Sequence, residues 1–336
     1  MNRRLLLLAA SILVSGVFLW LALRGVPLDE VIASIGQADP LWTLISLITV
    51  AAGLFARALR WSYGLLDRRL PPMRAYHILN IGMLINLLPL RAGEVARGVL
   101  ASRERVPFVT AATSIVVERL IDVVVCVLML AVAVARVPDA PPLIAQMSAL
   151  FGAAAVVAFA VLVGLARYPQ IAHRLTAWLE AHLAFTHRLN LTRRADEILD
   201  GLRPLSKPRR ALIALFWTAV GWGLSLVTFY ALERAVGVTD VDLVTGSLLG
   251  VALASFSIAI PISVASIGPF QGAVRVAGDT IGMSALHSTT LGFLFHGVSI
   301  VGYAVFGVIG LIRIGVTLRE FTGGAAQPIA PQEKEV

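Results

Sequence analysis

The chain has 336 residues, 58% hydrophobic and only 14% charged, with a formal net charge of +8. So little charge over such a length excludes a soluble globular protein and points to an all-α integral membrane protein, since the apolar runs are too long for β-barrel strands. The positive excess is almost all arginine, with Lys207 and Lys334 the only lysines; it falls between the apolar runs, so it reads as membrane orientation and contact with anionic lipid, not as a nucleic-acid surface.

The first apolar run, 4–24, follows Met1-Asn2-Arg3-Arg4 in the manner of a signal sequence. It is too long for a signal core and no small-x-small cleavage site follows, so it is expected to stay as a span. A second span is expected over 41–60. The next apolar segment, 75–100, is interrupted at Pro89 and Gly93 and carries Arg91, Glu94 and Arg97 at the interruption. A helix that breaks inside a bilayer must face protein or water there, and such breaks line binding sites in transporters. Spans follow at 111–135 and 143–166. The segment 167–210 is strongly basic and is expected inside the cell, with a helix lying on the membrane surface. After a span at 211–232, the segment 243–283 is interrupted at Pro261, Gly268-Pro269 and Gly272, and 286–313 is the last span. The tail, 321–336, is polar and proline-containing and is expected to be disordered.

About six full spans and two re-entrant broken hairpins result. With both hairpins re-entrant, every arginine-rich loop falls on the cytoplasmic side and both termini are cytoplasmic. The order span, span, hairpin, span occurs twice, over about 1–137 and 138–320, in opposite orientation. Inverted repeats with paired broken helices are a transporter architecture whose site lies at the repeat interface.

Charged residues within the apolar segments are the candidate site. If a half-helix restarts near Gly93, Glu94 and Arg97 share a face, and the helix N-terminus with Arg91 and Arg97 suits a phosphate; Asn86 adds a polar contact. The competing reading is that Glu94 pairs with an arginine and pins the hairpin. Glu118 and Asp122 lie four apart on one face of the span 111–135, with Arg119 beside them. One of the two carboxylates could carry a proton, or the group could be a neutralised network joining this span to the first hairpin through Arg91 or Arg97. Arg57, Arg60 and Trp61 end the second span as an interfacial anchor or as a capture point for a lipid headgroup. Gln271, Arg275 and Asp279 recur at four-residue spacing, so Arg275 either contacts substrate or pairs with Asp279. His296, alone in mid-span, reads as a hydrogen-bonded structural residue. There is no Walker A motif, no Cys/His metal set and no nucleophilic triad, so neither cofactor nor metal is expected. Gly302, Gly307 and Gly310 suit close helix packing.

Three stretches together resemble a known family: Leu87-Leu88-Pro89-Leu90-Arg91-Ala92-Gly93-Glu94-x-x-Arg97; Glu118-Arg119-Leu120-x-Asp122; and Pro261 with Ser266-Ile267-Gly268-Pro269-Phe270. They resemble the flippase-like membrane family whose best-known member is the transmembrane domain of lysylphosphatidylglycerol synthase, and Arg57…Arg60-Trp61 fits it too. The likeness spans roughly residues 1–320 and implies movement of lipids or lipid-linked precursors between leaflets of the bacterial cytoplasmic membrane. The family's synthases carry a soluble aminoacyl-transferase domain after the membrane part; here a short tail follows, so no aminoacylation is expected. Gln271 stands where relatives often have an acid.

The expectation is thus a non-enzymatic lipid transporter with a phospholipid or lipid-linked precursor as partner, and lipid-biosynthesis enzymes as further partners. The other readings are a secondary transporter of a small anion, a membrane-embedded lipid transferase using Glu94 or Asp122 as base, and a non-catalytic partner of a lipid-modifying pathway.

Overall fold

The computed structural model describes residues 3–66, 69–88, 92–137, 142–182, 191–258, 264–318 and 320. Among them every regular element is helical. In chain order these are α1 (Arg3–Leu23), α2 (Leu28–Gly36), α3 (Pro40–Leu59), which continues as a π-helical stretch Arg60–Leu65, α4 (Pro72–Asn86), α5 (Gly93–Arg103) and α6 (Phe108–Val134). Then come α7 (Pro142–Arg167), α8 (Pro169–His182), α9 (Leu191–Leu202), α10 (Pro208–Val236), α11 (Leu243–Ile258), α12 (Pro269–Thr280) and α13 (Ala285–Ile314).

Each expected span is one long helix, and each interrupted segment is two helices. Local chemistry sets the ends. The Asp39 carboxylate accepts from Leu41 N and Trp42 N at 2.8 and 3.1 Å and so starts α3. Ser284 accepts from His287 N at 3.2 Å at the start of α13. Gly237 and Gly315 end α10 and α13 in left-handed conformation, with φ of 81° and 76°.

Pro40–Leu65, Pro208–Val236 and Ala285–Ile314 are each long and apolar enough to cross a bilayer. Ile12–Leu23 and Leu28–Gly36 make a further apolar pair, bent by 76°. The loop expected after the first span is therefore partly helical. Pro27 precedes α2, Asp29 and Glu30 occupy its first turn, where the helix dipole favours acids, and Val31 is buried. Outward-facing positions are apolar: Leu44, Ile48, Leu128, Val132, Leu212, Phe216, Val301 and Ile312 are all exposed. A contiguous coat of this kind suits lipid.

The core divides in two. One cluster, with Trp61, Ile78, Ile81, Ala96, Leu100 and Ile115, surrounds α4 and α5. The other, with Phe229, Leu249, Val251, Phe270, Val274 and Phe295, surrounds α11 and α12. α10 lies along α3, and α13 runs beside both α4 and α12. Close approach depends on small residues. A Cβ at Gly307 would fall 2.5 Å from Leu84 Cβ, and one at Gly310 would fall 2.8 Å from the His77 carbonyl oxygen. In the basic segment, α9 packs on α6. Arg69 also grips Asp200 through both terminal nitrogens, at 2.5 and 2.8 Å. With Thr110 also bonded to it, the Asp200 carboxyl is held below its usual range, chiefly by the hydrogen bond from Arg69. The expected disordered tail lies outside the described residues.

Candidate functional site

The two interruptions are built differently. α4 ends at Asn86 and α5 restarts at Gly93, as the proline and glycine imply. Asn86 bridges the gap: its Oδ1 accepts from Gly93 N at 2.9 Å, and its Nδ2 donates to Glu94 Oε1 at 3.2 Å. The two helices cross so closely that a Cβ at Gly93 would sit 2.0 Å from the Gly82 carbonyl oxygen. Pro89 and Arg91 lie outside the described residues. In the second interruption, Pro261 lies outside the described residues, and the chain re-enters α12 through Ala265, Ser266 and Gly268 at φ of 49°, 60° and 94°. Only glycine takes the last conformation easily, and a Cβ there would also lie 2.3 Å from the Ser15 carbonyl oxygen of α1. Gln271 Oε1 accepts from Gly268 N at 2.8 Å. Its amide nitrogen lies 3.0 Å from His296 Nδ1, and His296 stacks on Phe270 at 4.4 Å.

An ion network stands behind the first interruption. Arg60 grips Asp122 through two nitrogens, at 2.6 and 3.2 Å, and reaches Glu118 at 3.3 Å. Arg97 grips Glu118 at 3.0 and 3.2 Å. Arg119 bonds Glu118 at 2.8 Å and stands 3.9 Å from Asp122. Trp222 Nε1 donates to Asp122 at 3.1 Å, and the Arg97 guanidinium lies 4.4 Å over the Trp61 ring. Trp61 Nε1 donates to Ser114 at 2.9 Å. Arg60, Arg97 and Glu118 are almost fully buried. Buried charge survives only when paired and hydrogen-bonded, and here three guanidiniums surround two carboxylates. Their Nε atoms are buried with no hydrogen-bond partner among the described residues.

Between the two interruptions lies a cavity of about 540 Å³. Asn86 and Glu94 line it from the first pair, Ser266 and Phe270 from the second, and Arg57, Arg119, Asp122, Trp222 and His296 from the long helices. Arg119 is the network member with the most exposure, 40% of its side chain. Arg57 lies 5.6 Å over the Trp222 ring and forms no ion pair among the described residues. The rest of the wall is largely apolar, with Val50, Leu54, Met83, Val251, Phe256 and Phe295. The arrangement can therefore accept an anionic group at one end against apolar matter at the other.

The family model for the lysylphosphatidylglycerol synthase TM region matches residues 8–307. The chain belongs to that family. Comparisons with curated proteins and with solved structures gave no match. For this member of the lysylphosphatidylglycerol synthase TM family, the matched range contains both interruptions, the ion network and every residue of the cavity wall.

Asn86, Glu94, Arg119, Asp122 and Arg57 come together on the cavity wall. Arg97 and Glu118 do not line it; they face inward, because the cavity edge runs between Glu94 and Arg97. Arg60 and Trp61 are neither a surface anchor nor a surface capture point, since their exposure is 2% and 0% and their polar atoms serve Asp122, Glu118 and Ser114. Gln271 frames the second interruption. Arg275 pairs with Asp279 at 2.8 Å and with Thr289 at 3.1 Å, away from the cavity wall. His296 is hydrogen-bonded, as read. Sequence reasoning missed Trp222 and Cys126, which also line the cavity. The available signal for Trp222 was its place four residues after Thr218 and three before Ser225, a polar stripe in an apolar helix.

Proposed function

We propose that the protein carries the headgroup of an anionic lipid, a phospholipid or a lipid-linked precursor, between the leaflets of the bacterial cytoplasmic membrane. The observation that carries this reading is the cavity between two broken helix pairs, where Arg57 has no ion-pair partner among the described residues and Arg119 is the most exposed member of its network. In this reading the six long helices cross the bilayer, the two broken pairs are re-entrant and related as inverted repeats, and both termini are cytoplasmic. The basic segments then fall on one side.

The physical task is to lower the cost of moving charge through hydrocarbon, about 3 kcal/mol or more for one ionised group. Arg57 and Arg119 replace part of the headgroup's hydration, arginine matching a phosphate's geometry through two donors. The apolar wall accepts the start of the lipid chain. Asp122 and Glu118 are taken up by arginines, which favours transport over acid–base chemistry. The same apolar wall favours a lipid over a small soluble anion.

The test is leaflet exchange of fluorescent anionic and zwitterionic lipids in proteoliposomes. Arg57→Ala should slow exchange of the anionic lipid about tenfold or more, with Arg57→Lys intermediate. Exchange by the Ala variant at the wild-type rate would overturn the assignment of the site. A soluble anion taken up in place of lipid would overturn the choice of substrate.

A further inference from the structure

Among the described residues, three acids are buried in the long helices, and they are treated unequally. Glu118 and Asp122 are surrounded by arginines. Glu233, with 0% exposure, has no ion pair among the described residues. Ser247 Oγ donates to its Oε2 at 2.7 Å, while Oε1 is buried without a hydrogen-bond partner among them. Oε1 lies over Gly246, where a Cβ would come within 2.2 Å of it, and Ile281 Cδ1 closes the same spot at 3.2 Å. Most charged or titratable groups on the surrounding elements are engaged elsewhere: Asp39 caps α3, Arg234 lies over Trp42, Asp242 is held by Arg136 and Thr245, and Asp279 holds Arg275. The His287 ring has its Nδ1 buried with no hydrogen-bond partner among the described residues and forms no ion pair with Glu233. None is a counter-ion for Glu233. The negative charge of Asp242 acts against a second one on Glu233. The surroundings therefore accommodate the neutral acid, and an ionised Glu233 needs water to reach it.

The place of this group matters. Glu233 and Ser247 join α10 to α11. Along α10, Glu233 lies about 22 Å from Thr218, which touches Arg60 in the ion network. Along α11, Ser247 precedes Val251, Ala254 and Ser255 of the cavity wall. In the topology proposed above, this end of α10 lies on the outer side.

We propose that Glu233 is a proton-binding site that latches α10 to α11: protonated, it keeps the seam shut; deprotonated, it draws in water and opens the cavity toward the outer side. The link to transport rests on the lipid reading above, but the latch does not, so the two are tested separately.

Cys126, the chain's single cysteine, lines the cavity and reports on access to it. Full-length protein in liposomes is treated with a membrane-impermeant thiol reagent from each side in turn, between about pH 5.5 and about pH 8.5. Cys126→Ser serves as the blank. The wild-type labelling rate from the outer side, divided by the rate for Glu233→Gln, should rise about tenfold across that range, because the glutamine cannot ionise. Ser247→Ala, which removes a donor that favours the ionised form, should move the rise to higher pH. A ratio that stays flat, or no labelling at any pH, overturns the latch. If Glu233→Gln does not fold, an unmoved profile in Ser247→Ala overturns it instead. A pH-dependent ratio without lipid exchange keeps the latch and removes the transport reading. Lipid exchange with a flat ratio does the reverse.

Discussion

The two broken helix pairs do the same geometric task with opposite chemistry. The α4–α5 break is held by ions: Arg97 ties α5 to Glu118 of α6, which in turn meets Arg60 and Arg119. The α11–α12 break is held by neutral groups: Gln271 caps Gly268, and His296 stacks on Phe270 beside it. Both leave a polar rim on one cavity. The difference teaches that a break in a transmembrane segment needs its freed backbone groups satisfied and its polar side chains covered, and that charge is only one way to do so. It also makes the cavity electrically lopsided, with Arg57, Glu94, Arg119 and Asp122 on one side and the Ser255 and Ser266 hydroxyls with the His296 ring on the other.

The strongest way to break this comparison is to remove its ionic centre. Glu118→Ala leaves the buried Arg97 without an ion-pair partner among the described residues, and Arg60 and Arg119 with Asp122 alone; it should cost about 3–5 kcal/mol, read as a large fall in thermal stability in detergent. A fall no larger than that of a neutral substitution at the other break would erase the distinction. Next in size is backbone crowding, which the two breaks share. Gly93→Ala and Gly268→Ala should each cost about 1–3 kcal/mol, the second through strain at φ 94° as well as contact with Ser15. Gln271→Leu should cost about 1–2 kcal/mol, because Gly268 N–H and His296 lose a partner, and its effect on the thermal midpoint should stay below that of Glu118→Ala.

The smallest effect is expected at Asp200, outside the breaks. Its carboxyl is held low by Arg69, so the stabilisation is complete above the ordinary carboxylate range and is lost as pH falls through the folded-state value. Asp200→Asn should cost under about 1 kcal/mol at neutral pH and nothing in strong acid, checked by unfolding at both.

Much of this was legible in the sequence because hydropathy runs and proline–glycine interruptions are local signals. The helix ends at Asn86 and Gly93 fall where Pro89 and Gly93 imply, and Glu118 and Asp122 meet one arginine as four-residue spacing implies. Contact partners were not legible. Arg57 and Arg60 are three apart and read as one face, yet one lines the cavity and the other is sealed against Asp122. The edge of a cavity is set by α6 and α10, far away in sequence, and the helix changes to π-helical geometry from Arg60 onward. Glu233 lies one residue beyond the expected span 211–232, so hydropathy alone gives it no place in the core. Only the packing of Gly246 against it shows that it is enclosed.

α13 touches both broken pairs with its backbone nearly bare. Near its start, Gly292 meets Gln271 of α12, and Ser288 meets Gly278; near its end, Gly307 and Gly310 meet Leu84 and His77 of α4. It contains no proline from Ala285 to Ile314. One unbroken helix thus serves as the common wall against which both broken pairs are seated, and its length fixes how far apart they stand.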